Sequence, residues 1–440
     1  MTNEITLNLE EIIHCDRRGT YFTIPFSVEQ AAESLEISYN YEKFEKTAFK
    51  GENWLAEERE KVNTIDLGLI NPLGEQVGTS GSEKSEIFIS ESWSTPGYQT
   101  CPILPGEWRI LVGVYRIAGD EIKVSYTIRI TPKSRRWLKG DTHCHTLASD
   151  GVHSAAELAC KAKRNGLDFI VISDHNQFVS KASLPIEPGL TIIPGVEWTH
   201  YRGHANFLGC EKPYDGTFAV NSVDEVETIF KTAHERGALI SINHPFESGS
   251  TFDFDLNKLP YDCLEIWNGP RHESNLKALG FWQSLLAAGV KIPAIAGSDY
   301  HRDTPLIFLG GPTTCVLAES NAAMDILAAL RAGRSYFIFS PEGPGLELET
   351  SEGKTLGESQ PWFENSHFIF RINDLKTGDI VRVVSRDVQT TVYEATGDGD
   401  FQMTFPVNEA GFYRLEVLRA FSPDIPRLPA LLSNPVYFDA

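Results

Sequence analysis

Near the start of the chain, apolar and polar residues alternate in short runs: GTYFTIPFSV, SEIFISES, WRILVGVYRI and EIKVSYTIRI, within residues 19–30, 84–92, 108–117 and 121–130. A period of two in segments rich in β-branched and aromatic residues predicts half-buried strands. Turn-rich stretches such as NPLGEQVGTSGSEKS separate them. The pattern predicts a β-sandwich over residues 1–133, with Trp54, Trp93 and Trp108 as core or edge aromatics.

After TPKSRRW the period changes. A strand-like GDTHCHT leads into HSAAELACKAKRNG, a helix that Ser154 caps, with Glu157 three residues later completing a capping box. Strand-like DFIVIS, LTIIPGVEW, ALISINH, YDCLEIWN, KIPAIAG and RSYFIFS then intersperse with helical VDEVETIFKTAHERG, NLKALGFWQSLLAAG and MDILAALRAG. This alternation predicts βα units around a mostly parallel sheet over residues 134–344. About seven candidate strands, with polar residues immediately after them, favour a barrel-like closure. From residue 345 the helical period is lost, and HFIFRIN, DIVRVVSRD, QTTVYEA, FQMTFPV, YRLEVLRA and NPVYFDA predict a second β-sandwich over 345–440. The acidic EATGDGDF lacks the order of an EF-hand loop and reads as a hairpin turn.

Charge narrows the partners. Sixty acidic against 39 basic residues give a formal net charge of -21, which disfavours long nucleic acid and anionic membrane. A small anion drawn to a metal cluster stays open, because the field there belongs mostly to the cations. No run of 18 apolar residues occurs, and MTNEITLNLEEIIHCD lacks a basic start and a long apolar core. Seven scattered cysteines without a CxxC read as buried thiols in a reducing compartment, so the expectation is a cytoplasmic protein.

Ten of the 12 histidines lie between His143 and His301, many of them where a strand has just ended. His143 and His145 are two apart on an extended segment, so both imidazoles project from one face and Cys144 from the other. Asp150 follows in the next loop. His175 and Glu197 each end an apolar run, and His204 lies where a short turn returns the chain beside Glu197. His244 ends ALISINH before Pro245, and Asp299 and His301 repeat the spacing of two. Imidazoles mixed with carboxylates suit two or three divalent ions, Mn, Zn or Fe. A carboxylate such as Glu197 can bridge two of them. Asp174 points away from His175 and reads as structural, while His200 competes with His204. His272 reads as a substrate contact or proton donor. Arg202 and Arg271 read as an anion clamp, and Asn243 and Asn268 as groups orienting substrate or water.

The ordered series THCHT…SDG, SDHN, GVEW, GHANFLG, NHP and GSDYH resembles the PHP (polymerase and histidinol phosphatase) superfamily. GHANFLG with WNGP is similar to its CehA/McbA branch of metallohydrolases. The resemblance implies a distorted (β/α)7 barrel, here flanked by two β-sandwiches, with the site at the C-terminal ends of the strands. It further implies that His143, His145 and Asp299 hold one metal and that Glu197 bridges to a second, completed by His204 and His244. Asp150, His175 and His301 would form a third site, and His175 or His301 would serve as proton donor where that site is empty. The expected activity is metal-dependent hydrolysis of a small phosphomonoester or phosphodiester. Carboxyl-ester or carbamate hydrolysis and metal-supported ligand binding are the competing functions.

Overall fold

The computed structural model of the protein describes residues 4–44, 61–270 and 272–440, with the His272 side chain excepted. Trp54 and Arg271 therefore lie outside the described residues. The architecture is α/β joined to all-β, and the chain divides into two compact units, meeting at Ser134 and Arg135.

The first unit is built from strands β1 (Ile5–His14), β2 (Tyr21–Val28), β3 (Ala32–Asn40), β4 (Thr64–Ile70), β5 (Gln76–Ser80), β6 (Glu86–Ser90), β7 (Gly106–Arg116) and β8 (Glu121–Pro132). They form two four-stranded sheets, in the orders β1-β8-β3-β6 and β2-β7-β4-β5. Alternating residues of both sheets, among them Leu35, Ile37, Leu67, Ile110, Val112 and Ile128, share one core, as a two-layer sandwich requires. Trp108 is wholly buried in it, and Trp93 packs on Phe88 with ring centres 4.8 Å apart.

The second unit opens with β9 (Arg136–Cys144), α1 (Ala155–Arg164), β10 (Phe169–Ile172), β11 (Thr191–His200), β12 (Gly203–Leu208), α2 (Val223–Glu235) and β13 (Leu239–Asn243). It continues with β14 (Cys263–Asn268), α3 (His272–Ala287), β15 (Ala294–Gly297), β16 (Thr313–Ala318), α4 (Ala323–Arg331) and β17 (Ser335–Ile338). Ser154 and Glu157 cap α1 reciprocally, and Ser222 and Glu225 do the same for α2. The sheet order runs β15-β14-β13-β12-β11-β10-β9-β16-β17. Pairing is parallel except where β12 and β16 meet their neighbours and where β17 meets β16. The sheet curls, because the segment after β15 returns beside β9 through a parallel bridge from Cys144 to Tyr300.

Nine more strands follow: β18 (Gly345–Thr350), β19 (Ser359–Pro361), β20 (His367–Leu375), β21 (Ile380–Val384), β22 (Gln389–Glu394), β23 (Gly399–Pro406), β24 (Gly411–Arg419), β25 (Leu428–Ser433) and β26 (Val436–Asp439). β18, β20 and β23 form a separate sheet, and Phe368 and Phe370 from it share a core with Leu415, Val417 and Leu431. The opposing layer is not separate. β25 pairs antiparallel with β17, so the large sheet runs on through β24, β21 and β22. Hydrogen bonding thus crosses the expected boundary at residue 345. Asn434 strengthens the seam by accepting from the Ala294 N–H and donating to the Ala294 and Ser335 carbonyls.

Candidate metal centre

Strand ends put the nine expected ligand residues together. His143 lies within β9 and His145 just past it, Asp150 in the following loop, His175 after β10, and Glu197 near the end of β11. β12 is antiparallel to β11, with Thr199 opposite His204, so the hairpin returns His204 diagonally beside Glu197. His244 follows β13, and Asp299 and His301 follow β15. The strand geometry expected to align Asp299 with His301 stops at Gly297. Asp299 instead takes a left-handed φ of 52°, and His244 one of 27°, conformations that cost a non-glycine residue free energy and recur at functional sites.

Three groups of ligating atoms result, each with all members within 4.8 Å of one another. One holds His143, His145, Glu197 and Asp299, a second Glu197, His204 and His244, and a third His145, Asp150, His175 and His301. The structure thus brings together the residues expected in each set, and places His145 with the third as well. Glu197 and His145 are the shared members.

Glu197 is the hub. Its Oε1 lies 3.4 Å from His143 Nε2, 3.2 Å from His204 Nδ1 and 3.3 Å from His244 Nε2. Its Oε2 lies 2.7 Å from His175 Nδ1 and 3.5 Å from His145 Nε2. Asp299 Oδ1 stands 3.0 Å from His145 Nε2 and 3.4 Å from His143 Nε2. His301 Nε2 is 3.1 Å from Asp150 Oδ1. Burial alone would push the Glu197 and Asp299 carboxyls up, yet His143 and its neighbouring imidazoles hold both well below the usual carboxylate range. Burial holds His145 below its ordinary value; at His143, His175 and His244 burial pulls the same way, but the facing carboxylates outweigh it and raise all three.

Whether these residues fit cations can be read from atoms left over. His143 Nε2, His145 Nδ1 and Glu197 Oε2 are buried and make no hydrogen bond, although buried polar atoms are rarely left so. Nitrogen and oxygen donors converging on one point are what a divalent cation satisfies. The donor set suits zinc, manganese or iron.

Three carboxylates not assigned to the ligand set hold this arrangement. Glu265 on β14 accepts from His143 Nδ1 at 3.0 Å through Oε1. Its Oε2 accepts from the His244 backbone N–H and from Asn268 Nδ2, both at 3.0 Å. Gly297 makes room for this pair, since a Cβ there would stand 2.4 Å from the His143 Cβ and 3.0 Å from Glu265 Oε1. Asp174 behaves as the structural residue expected, accepting from Thr146 N–H, Thr146 Oγ1 and Ser149 Oγ in the loop that carries Asp150. Asp141 accepts from the backbone N–H groups of His143, Ser298 and Gly310, which ties β9 to the segment after β15. Glu265 and Asp141 had gone unremarked in the sequence. The available signal was an acidic side chain at the centre of the otherwise apolar CLEIWN, where an exposed charge has no place.

The expected substrate contacts divide. Asn243 is buried and donates to Glu197 Oε1 at 3.0 Å, and Asn268 is buried against Glu265. Arg202 is turned to Asp253, with Nε 3.2 Å from the carboxylate and a 2.6 Å bond to the carbonyl, and it covers the Phe254 ring at 4.5 Å. His200 donates to the Val220 carbonyl and accepts from the Arg202 N–H, so it belongs to none of the three groups. His272 is the first residue of α3. A cavity of about 270 Å³ opens beside the cluster, lined by Asp299, His301, Arg302, Thr304 and Ile307.

No family model matches the chain, and no curated protein does. Among solved structures, a two-domain protein from Bacteroides vulgatus, described as containing a predicted PHP-like metal-dependent phosphoesterase, is 17% identical with a TM-score of 0.40. The match covers 67% of this chain and 95% of that one. A candidate metal-dependent phosphoesterase from Bifidobacterium adolescentis is 14% identical, with a TM-score of 0.31 over 43% of this chain and 95% of its own. An amidohydrolase from Chromobacterium violaceum, with bound sulfate and no metal, is 15% identical with a TM-score of 0.28, over 38% and 89%. These are distant likenesses. Among the described residues, no helix is long and apolar enough to cross a membrane.

Proposed function

We propose that the chain is a multinuclear metal-dependent hydrolase acting on a small phosphomonoester or phosphodiester, with a PHP-like barrel over residues 134–344 and a β-rich region on either side of it in the sequence. The observation that carries the reading is Glu197, a wholly buried carboxylate with five imidazoles within 3.5 Å. A structural ion pair needs one partner. Five histidines on one buried carboxylate make sense as a bridge whose neighbours also ligate.

When bound, two or three divalent cations there would acidify a water and neutralise charge on the transferred group. His143, His145 and Asp299 would hold the first, His204 and His244 the second, with Glu197 between them. Asp150, His175 and His301 would hold a third with His145. Asn243 keeps one Glu197 oxygen oriented, and Glu265 fixes the His143 tautomer so that Nε2 faces Glu197 and Asp299. His175 and His301 are only partly buried, so in a two-metal form either can pass a proton to a leaving oxygen. Burial of His143, His145, His244, Glu197 and Asp299 keeps bulk water from the Glu197 and Asp299 carboxylates, whereas Asp150 is exposed.

Ile307 in the cavity lining supports a second reading, carboxyl-ester or carbamate hydrolysis, since an apolar wall suits an uncharged leaving group. Protein reconstituted separately with Mn²⁺, Zn²⁺ and Fe²⁺ and given nucleoside phosphates, small phosphodiesters, aryl esters and aryl carbamates distinguishes the two. Turnover of phosphate esters with loss of metal and activity in Glu197→Gln is expected. Turnover of carbonyl substrates alone would establish the second reading, and full metal loading without any turnover would leave a ligand-binding protein.

A further inference from the structure

Of the arginines that the sequence offered as an anion clamp, Arg202 is committed to Asp253 and Phe254. The cavity beside the cluster is lined instead by a different arginine, Arg302, which immediately follows His301. The geometry points to Arg302 and this cavity as an anion subsite that binds the non-reacting oxygens of a phosphate group. This deepens the hydrolase reading and rests on it, because it names the charge of the substrate that the same site accepts.

Three observations support the subsite. First, the cavity shares Asp299 and His301 with the candidate metal groups, so a group held by Arg302 lies next to the reacting centre. Second, Arg302 makes no hydrogen bond or ion pair with any described residue, while its flanks are pinned. The His301 carbonyl accepts from the Val152 N–H at 2.9 Å, and Asp303 is bound by Lys161 at 2.6 Å. Thr304 Oγ1 accepts from the Ile307 N–H at 3.0 Å, which closes the turn beyond. The backbone is therefore anchored on both sides of an exposed guanidinium that no described residue engages. Third, the cavity volume of about 270 Å³ falls just below the ~300–1,000 Å³ typical of sites for drug-sized ligands, which suits a phosphate group and a small remainder. A neutral ester gains nothing from a guanidinium cation at this place. A guanidinium fork also matches two phosphate oxygens at once, which a lysine does not.

The experiment is calorimetric titration of the full chain, metal-loaded, with inorganic phosphate at low ionic strength, comparing the wild type with R302M, R302K and R202M. Metal content is measured on the same samples. Phosphate affinity is expected to fall roughly tenfold in R302M, the order for losing a charged hydrogen bond at a partly exposed site, and less in R302K. Unchanged affinity in R302M would overturn the subsite. So would a larger loss in R202M than in R302M, or loss of metal in R302M, which would make Arg302 a support for His301. The titration needs no turnover, so the two readings fail separately. A wild type that binds phosphate through Arg302 but hydrolyses no phosphate ester overturns the reaction, and a phosphatase indifferent to R302M overturns the subsite alone.

Discussion

Replacing Glu265 by glutamine changes one oxygen to an NH₂ group and removes a charge, with almost no change in volume. The wild-type carboxylate accepts three bonds, from His143 Nδ1 on one oxygen and from the His244 N–H and Asn268 Nδ2 on the other. A glutamine has one acceptor oxygen. Turned to keep two of the three bonds, it presents its NH₂ to His143 Nδ1. The imidazole can then meet it only by accepting at Nδ1, which moves its proton to Nε2, the atom facing Glu197 and Asp299. A protonated Nε2 cannot ligate. Turned the other way, the glutamine keeps His143 but leaves the His244 backbone N–H and Asn268 facing a donor. Loss of such an outer partner typically weakens metal binding about 10–100-fold, or roughly 1.4–2.7 kcal/mol. Competition with a chromophoric chelator measures this directly, and the melting temperature of the metal-free protein controls for folding. A Glu265→Gln protein that binds metal within twofold of wild type would refute the tautomer argument.

Asp150 belongs to the third group alone, so Asp150→Asn is expected to lower a fully loaded form by one metal per chain, read by elemental analysis; unchanged stoichiometry would remove Asp150 from the ligand set. Gly297→Ala drives a Cβ to 2.4 Å from that of His143 and should cost about 1–3 kcal/mol in a urea melt, with weakened metal binding. Arg414 is buried, bonded to Glu416 at 2.6 Å and to Gln283 of α3 at 3.0 and 3.1 Å. Glu416→Ala leaves that cation without its counter-charge and should destabilise the second unit by about 3 kcal/mol, the low end for a broken buried pair because Gln283 remains. A melt within about 0.5 kcal/mol of wild type would show that the pair is dispensable.

The site was more legible than the fold around it. Strand-end placement made His143, Glu197, His244 and Asp299 visible because a βα unit switches abruptly from a continuous apolar run to a polar residue, and that step survives in one dimension. Capping boxes at Ser154 and Ser222 are equally local. Strand β1 escaped notice because its ITLNLEEIIH has adjacent glutamates that interrupt the alternation, and most of its side chains are exposed. The pairing of β17 with β25 was illegible for another reason. Both strands are nearly continuous apolar runs, and such a run says that a strand is covered without saying by which segment. Arg202 shows the same limit at the site: its place after a strand was readable, its commitment to Asp253, about 50 residues away, was not.

The seam between β17 and β25 also sets a clock. Ile338 pairs with Leu431, 93 residues further on, and Asn434 holds the backbone of Ala294 at the head of the strand that leads to Asp299. At roughly 5–20 residues per second, a ribosome needs on the order of 5–20 s to make the intervening chain. Throughout that interval the sheet bearing the histidines has been synthesised but its last edge is open. The order of translation therefore places full assembly of the cluster after the β-rich tail has emerged, and binding of metal by nascent chains stalled before residue 428 is expected to be incomplete.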